Sequence, residues 1–168
     1  MDTTVRKTNF MNSKLIASVL TGQAAGLIMA VVVMIVFTIF LGKGPLFPVQ
    51  VIGSTLFGVS ALEGFHFGAF LAGLVLHQAG PSLLWGVIYG ALNKKLDIAD
   101  VKGSLVLGLG VGVLSMVGPY ILIPFVMKSL HGVDFWNQQV PMLWDWAAHI
   151  VFGASFGLYP VILKKLKA

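Results

Sequence analysis

Trp144-Asp-Trp-Ala-Ala-His149-Ile-Val-Phe-Gly153-Ala-Ser-Phe-Gly157-Leu-Tyr159-Pro-Val-Ile-Leu-Lys164-Lys165 decides the fold class. After Asp145 it carries no charge until its closing lysines, its tryptophans suit a membrane interface, and its glycines recur four apart. About 20 residues at about 1.5 Å each cross about 30 Å of hydrocarbon, so the run is read as a membrane helix. A similar run stands earlier, as His77-Gln-Ala-Gly80-Pro-Ser-Leu-Leu-Trp85-Gly86-Val-Ile-Tyr89-Gly90-Ala-Leu-Asn-Lys94-Lys95.

The whole chain agrees. Of its 168 residues, 57% are hydrophobic and 10% charged, against about 25% charged in soluble domains, so lipid is expected to cover much of the surface. Spans are expected at approximately 15–41, 71–92, 104–127 and 143–163. Each must be helical, because backbone groups in lipid pair internally. The first follows Arg6, Lys7 and Lys14 as a signal peptide would, but its apolar run is far longer than about 15 residues, so it is read as a retained helix.

Arg6, Lys7, Lys14, Lys94, Lys95, Lys102, Lys164, Lys165 and Lys167 fall on one side of these spans, leaving Lys43 and Lys128 for the other. The positive-inside rule then makes both termini and the middle loop cytoplasmic, in a bacterial-type inner membrane. The apolar stretch 49–62 is too short to cross and is expected as an interfacial or re-entrant helix on the outer side. Gly118-Pro119 and Pro124 are expected to kink the third helix. The expected architecture is an all-α integral membrane four-helix bundle forming one domain over 1–168, with two two-helix units as a candidate internal repeat.

Much chemistry is excluded. The chain has no cysteine, hence no disulfide, thiolate metal site or cysteine nucleophile. Its net charge of +5 sits at the ends of apolar runs rather than on an aromatic-rich polar face, which argues against nucleic acid. There is no Gly-x-Ser-x-Gly elbow and no His-Glu-x-x-His. Gly108-Leu-Gly110-Val-Gly112 lacks the spacing and preceding strand of a nucleotide loop.

Two features remain. Gly22 and Gly26, Gly86 and Gly90, Gly108 and Gly112, and Gly153 and Gly157 each place small residues on one helix face, for packing inside the bundle or against a partner. His77 lies 17 residues before Lys94 and His149 lies 15 before Lys164, so the imidazoles are expected within about 3 Å of one depth. They are the candidate cofactor ligands, and three chemistries suit them. A bis-histidine haem b would need a slot, with room at Gly80, Gly153 and Ala154. A metal would need a third ligand from Glu63, His66, Asp134 or Asp145. A proton-handling pair needs only the imidazoles and a wet path. The plainest alternative is that each histidine satisfies a backbone carbonyl or a water. Glu63, His66, His131, Asp134 and Asp145 are assigned to the outer face, outside the helices, as water-exposed titratable groups.

The order of features from Ile52-Gly-Ser-Thr-Leu-Phe-Gly58 through His77, Trp85-Gly-Val-Ile-Tyr89, Gly108 to Gly112, Pro124-Phe-Val-Met, Pro141 and Trp144 to His149-Ile-Val-Phe-Gly153 and Gly157 resembles the YagU-type proteins and related small four-helix inner-membrane families. The resemblance covers about the last two thirds of the chain. It implies the four-helix arrangement, an interest in His77 and His149, and a role in membrane physiology such as acid tolerance rather than a catalytic assignment.

The leading expectation is therefore a polytopic membrane protein with no catalytic site and no required cofactor. It would be an accessory or structural subunit packed against other membrane subunits or itself, or a stress-related membrane protein. A haem or metal anchor in electron transfer and a proton-linked transporter or pH-responsive protein stand beside it.

Overall fold

The computed structural model describes residues 3–167, with side chains described for 13–167. Every regular element among them is helical: α1 (Thr3–Phe40), α2 (Phe47–Phe57), α3 (Phe67–His77), α4 (Leu83–Leu96), α5 (Val101–Ser115), α6 (Ile123–His131), α7 (Phe135–Gln139), α8 (Met142–Ala154) and α9 (Tyr159–Lys167). Wide π turns at Gln78–Ser82 and Gly118–Leu122 join α3 to α4 and α5 to α6, and a 3-10 turn at Ser155–Leu158 joins α8 to α9. The result is four long apolar helices, Ser13–Phe40, Phe67–Leu96, Val101–His131 and Met142–Lys167, each long enough to cross a membrane.

These helices run past the apolar segments because a helix continues until something replaces its orphaned end groups. His66 Nδ1 accepts from the Ala69 N–H at 3.0 Å and the Asp100 carboxylate from the Gly103 N–H at 2.9 Å. Gly132 closes α6 in the left-handed region at φ 72° and Asp97 closes α4 there at φ 52°. Asn93 holds that second turn shut. Its amide donates to the Ile98 carbonyl at 3.0 Å and accepts from the Ile98 N–H at 2.7 Å.

The antiparallel arrangement gathers Lys14, Lys94, Lys95, Lys102, Lys164, Lys165 and Lys167 at one end, where Lys14 pairs with Asp97. Lys43 and Lys128 lie at the opposite end, which α2 and α7 cap. α1 packs on both α4 and α8, α5 packs on α8, and α4 touches α5. The second and fourth long helices therefore face each other across the bundle axis. The Tyr89 ring bridges them, stacked 4.5 Å from Phe156 and tilted against Tyr159 at 5.3 Å.

Glycine sets the closest approaches. A Cβ on Gly22 would fall 2.5 Å from the Ser82 carbonyl oxygen and 2.7 Å from Gly86 Cα, and a Cβ on Gly112 would fall 2.5 Å from the His149 carbonyl oxygen and 3.0 Å from Gly153 Cα. The α1–α4 and α5–α8 crossings are thus built alike. The equivalence pairs Gly22 with Gly112 and Gly86 with Gly153. His149 consequently takes the place of Ser82, and the two histidines are not symmetric positions of a repeat.

At the capped end, Gly53 of α2 lies against the Ala69 carbonyl and Gly73 of α3 against the Val49 carbonyl. This short helix covers a cluster of Phe37, Val51, Met127, Phe135, Trp136 and Val140. The kink expected in the third long helix is the π turn containing Pro119, while Pro124 sits in the first turn of α6, where its missing N–H matters least.

Candidate functional site

Pro81 builds the site. It has no N–H to give the His77 carbonyl four residues back, and the helix opens into a π turn there. Ser82 Oγ donates to the released His77 carbonyl at 3.0 Å. Gln23, from α1, donates to the neighbouring Gln78 carbonyl at 2.9 Å. Gln78 answers with its own amide, donating to the Gln23 carbonyl at 3.2 Å and to Gln23 Oε1 at 3.3 Å. Its Oε1 accepts from Ser82 Oγ at 3.0 Å and meets His77 Nδ1 at 3.1 Å. Two glutamines in apolar helices thus satisfy each other and orient an imidazole.

On the fourth long helix stands the other imidazole. His149 Nδ1 lies 2.9 Å from the Asp145 carbonyl and 3.3 Å from Asp145 Oδ1. The second carboxylate oxygen accepts from the Trp136 indole N–H at 3.2 Å. Asp145 is 3% exposed and His149 8%. The carboxyl is therefore buried in the first turn of α8, correcting its assignment to an exposed outer loop: the turn that begins α8 folds it under Trp136 of α7.

Protonation follows from the partners. A carbonyl oxygen carries no proton, so His149 Nδ1 must donate, and His77 Nδ1 must likewise donate to Gln78 Oε1. That leaves the Nε2 lone pair of both imidazoles without a hydrogen bond among the described residues. His77, twelve residues before Tyr89, lies opposite the opening turns of α8, within about a turn of His149 in depth. No hydrogen bond joins the two rings. The arrangement is two proton-accepting imidazoles with a carboxyl beside one of them.

The other candidate residues have structural partners. His66 caps α3, and its own N–H is held by Gln50 at 2.6 Å. His131 Nε2 donates to the Thr55 carbonyl at 3.0 Å, tying α6 to α2. Asp134 caps α7 through the Asn137 N–H at 3.1 Å and sits 4.0 Å from Lys128. Glu63 is exposed. Among the described residues no three His, Asp or Glu side chains converge on a metal position. Of the positions expected to make room for a haem, Gly153 is in backbone contact with Gly108, Leu109 and Gly112, while a Cβ on Gly80 would meet nothing within 4 Å.

Gln23, Gln78, Ser82 and Trp136 were missed by the sequence reading. A lone glutamine within each of two apolar runs, and a proline four residues after a histidine, were the available signals. No family model, curated protein or solved structure matches the chain.

Proposed function

We propose that this chain spans a membrane, with its lysine-rich end cytoplasmic, and that it handles protons at the Asp145–His149–His77 group. The buried carboxyl carries the reading: at 3% exposure Asp145 accepts from the Trp136 indole, with His149 Nδ1 3.3 Å from its other oxygen. Ionisable groups in apolar spans are costly and generally mark ion or proton pathways. The open Nε2 atoms give an incoming proton a place to bind, and Asp145 offsets the charge of a His149 imidazolium.

The accessory-subunit reading leaned on small-residue faces. All of those glycines but Gly157 lie against neighbouring parts of this same chain, so few remain for a partner. Proton movement is tested in proteoliposomes with a lumenal pH dye and a compensating potassium potential. The wild-type protein is expected to dissipate an imposed pH gradient, and Asp145→Asn and His149→Gln to slow this at least about tenfold. A folded wild-type protein that leaves the gradient intact overturns the reading.

A further inference from the structure

The lysine-rich half of the bundle holds a second polar cluster with different chemistry. Tyr89, Tyr159 and Ser104 are each 0% exposed, and none of their hydroxyl oxygens makes a hydrogen bond among the described residues. Ser104 lies near the Tyr89 hydroxyl, and Ser18 and Asn93 lie near that of Tyr159, without meeting hydrogen-bond geometry. Ser18, Tyr89 with Asn93, Ser104 and Tyr159 come from α1, α4, α5 and α9, so every long helix contributes.

Fully buried hydroxyls without partners are rare in folded proteins because each loses its hydration for nothing in return. The neighbouring groups are already partly engaged: Ser18 Oγ spends its one proton on the Lys14 carbonyl at 2.9 Å and keeps only acceptor capacity, and the Asn93 amide bonds Ile98 through both its nitrogen and its oxygen. The orphaned groups are hydroxyls, each both donor and acceptor, and the cluster itself contains no carboxylate or ammonium. Asp97, paired with Lys14, and Asp100 are the charges that bear on it from outside. A neutral ligand that donates and accepts equally is the chemical match, which is water.

We infer that this cluster binds water as a proton-relay station, in series with the Asp145–His149 pair and leading to the lysine-rich end. The inference rests on the proton-handling reading. In such a relay each oxygen accepts a proton from one neighbour as it releases its own to the next, so no hydroxyl is left charged and no co-reactant beyond water is needed. Along the fourth long helix the order is His149, Phe152, Phe156, Tyr159. The Phe152 and Phe156 rings, packed edge to face at 5.4 Å, occupy that interval on the fourth long helix, so water passing between the stations has to run beside them.

Tyr89→Phe, Tyr159→Phe and the double variant, which keep ring volume, are compared with Asp145→Asn in the same proteoliposomes. Each single Phe variant is expected to lower flux about tenfold while circular dichroism stays unchanged. Wild-type flux lost in Asp145→Asn but intact in the double Phe variant overturns the relay alone; an inert wild type overturns both the relay and the reading beneath it. Vibrational spectra of the wild-type phenol groups after transfer to deuterated water give a readout that needs no variant to fold. Exchange of the tyrosine hydroxyls within minutes is expected, and hydroxyls still protonated after a day overturn the inference.

Discussion

Where α1 crosses α4, Gly22 faces the Ser82 carbonyl and Gly86; where α5 crosses α8, Gly112 faces the His149 carbonyl and Gly153. The backbones meet in the same way, while the side chains leaving the crossings differ. The first pair carries neutral amides, Gln23 and Gln78, and the second carries Asp145 and His149. Glycine packing fixes helix separation through van der Waals contact and leaves the polar content of each pair free to differ. One pair supplies a hydrogen-bonded brace, the other a titratable group.

The sharpest way to break the comparison is His149→Ala. It removes the imidazole beside the buried Asp145 carboxyl, empties its volume in the first turns of α8, and is expected to cost about 2–3 kcal/mol or more, read by thermal or denaturant unfolding in detergent. Ser82→Ala, at the equivalent place in the other pair, should cost far less.

The backbones themselves are tested by Gly22→Val and Gly112→Val. Each forces carbons onto a facing carbonyl and should cost about 1–3 kcal/mol or more, with similar losses if the crossings are equivalent. Gly110→Ala, in open space on α5, should be neutral or gain up to about 1 kcal/mol. Unequal Val losses would break the structural equivalence.

Gln78→Leu removes the donor to the Gln23 oxygens and the acceptor of His77 Nδ1, while Gln23 keeps the backbone carbonyl of residue 78, for an expected cost of about 1–2 kcal/mol, measured the same way. The smallest effect concerns the tie between the first long helix and the loop after α4. Lys14 holds the Asp97 carboxyl below its ordinary value of 3.8, first by hydrogen bonding and then by charge. A lowered folded value means that the tie stabilises above that ordinary value and fades as pH falls through the folded one. Asp97→Asn should therefore differ slightly from wild type at neutral pH and converge with it below about pH 4 in a pH series of unfolding midpoints.

The four long helices were legible because hydropathy and terminal lysines are properties of segments, each readable without its neighbours. The glycine register was not. Both glycines of Gly22-x-x-x-Gly26 lie on one face, and only the partner helix decides which of them sits at a crossing. Asp145 was misplaced for a related reason: three residues from Met142 it looks like the end of a loop, and its burial depends on Trp136 folding over it from α7. The opening at Pro81 could have been foreseen from the rule used for Pro119, since both prolines stand within apolar runs.

The two π turns have a mechanical consequence. Glycine crossings in which backbone touches backbone behave as stiff joints, with no side chain between them to yield. Gln78–Ser82 is locked by Gln23 and by Gly22 against the Ser82 carbonyl, whereas Gly118–Leu122, with open space around Gly118, is the compliant point of its helix. Flexing there would swing α6 against a fixed α5 and pull on α2 through the His131 tie to the Thr55 carbonyl.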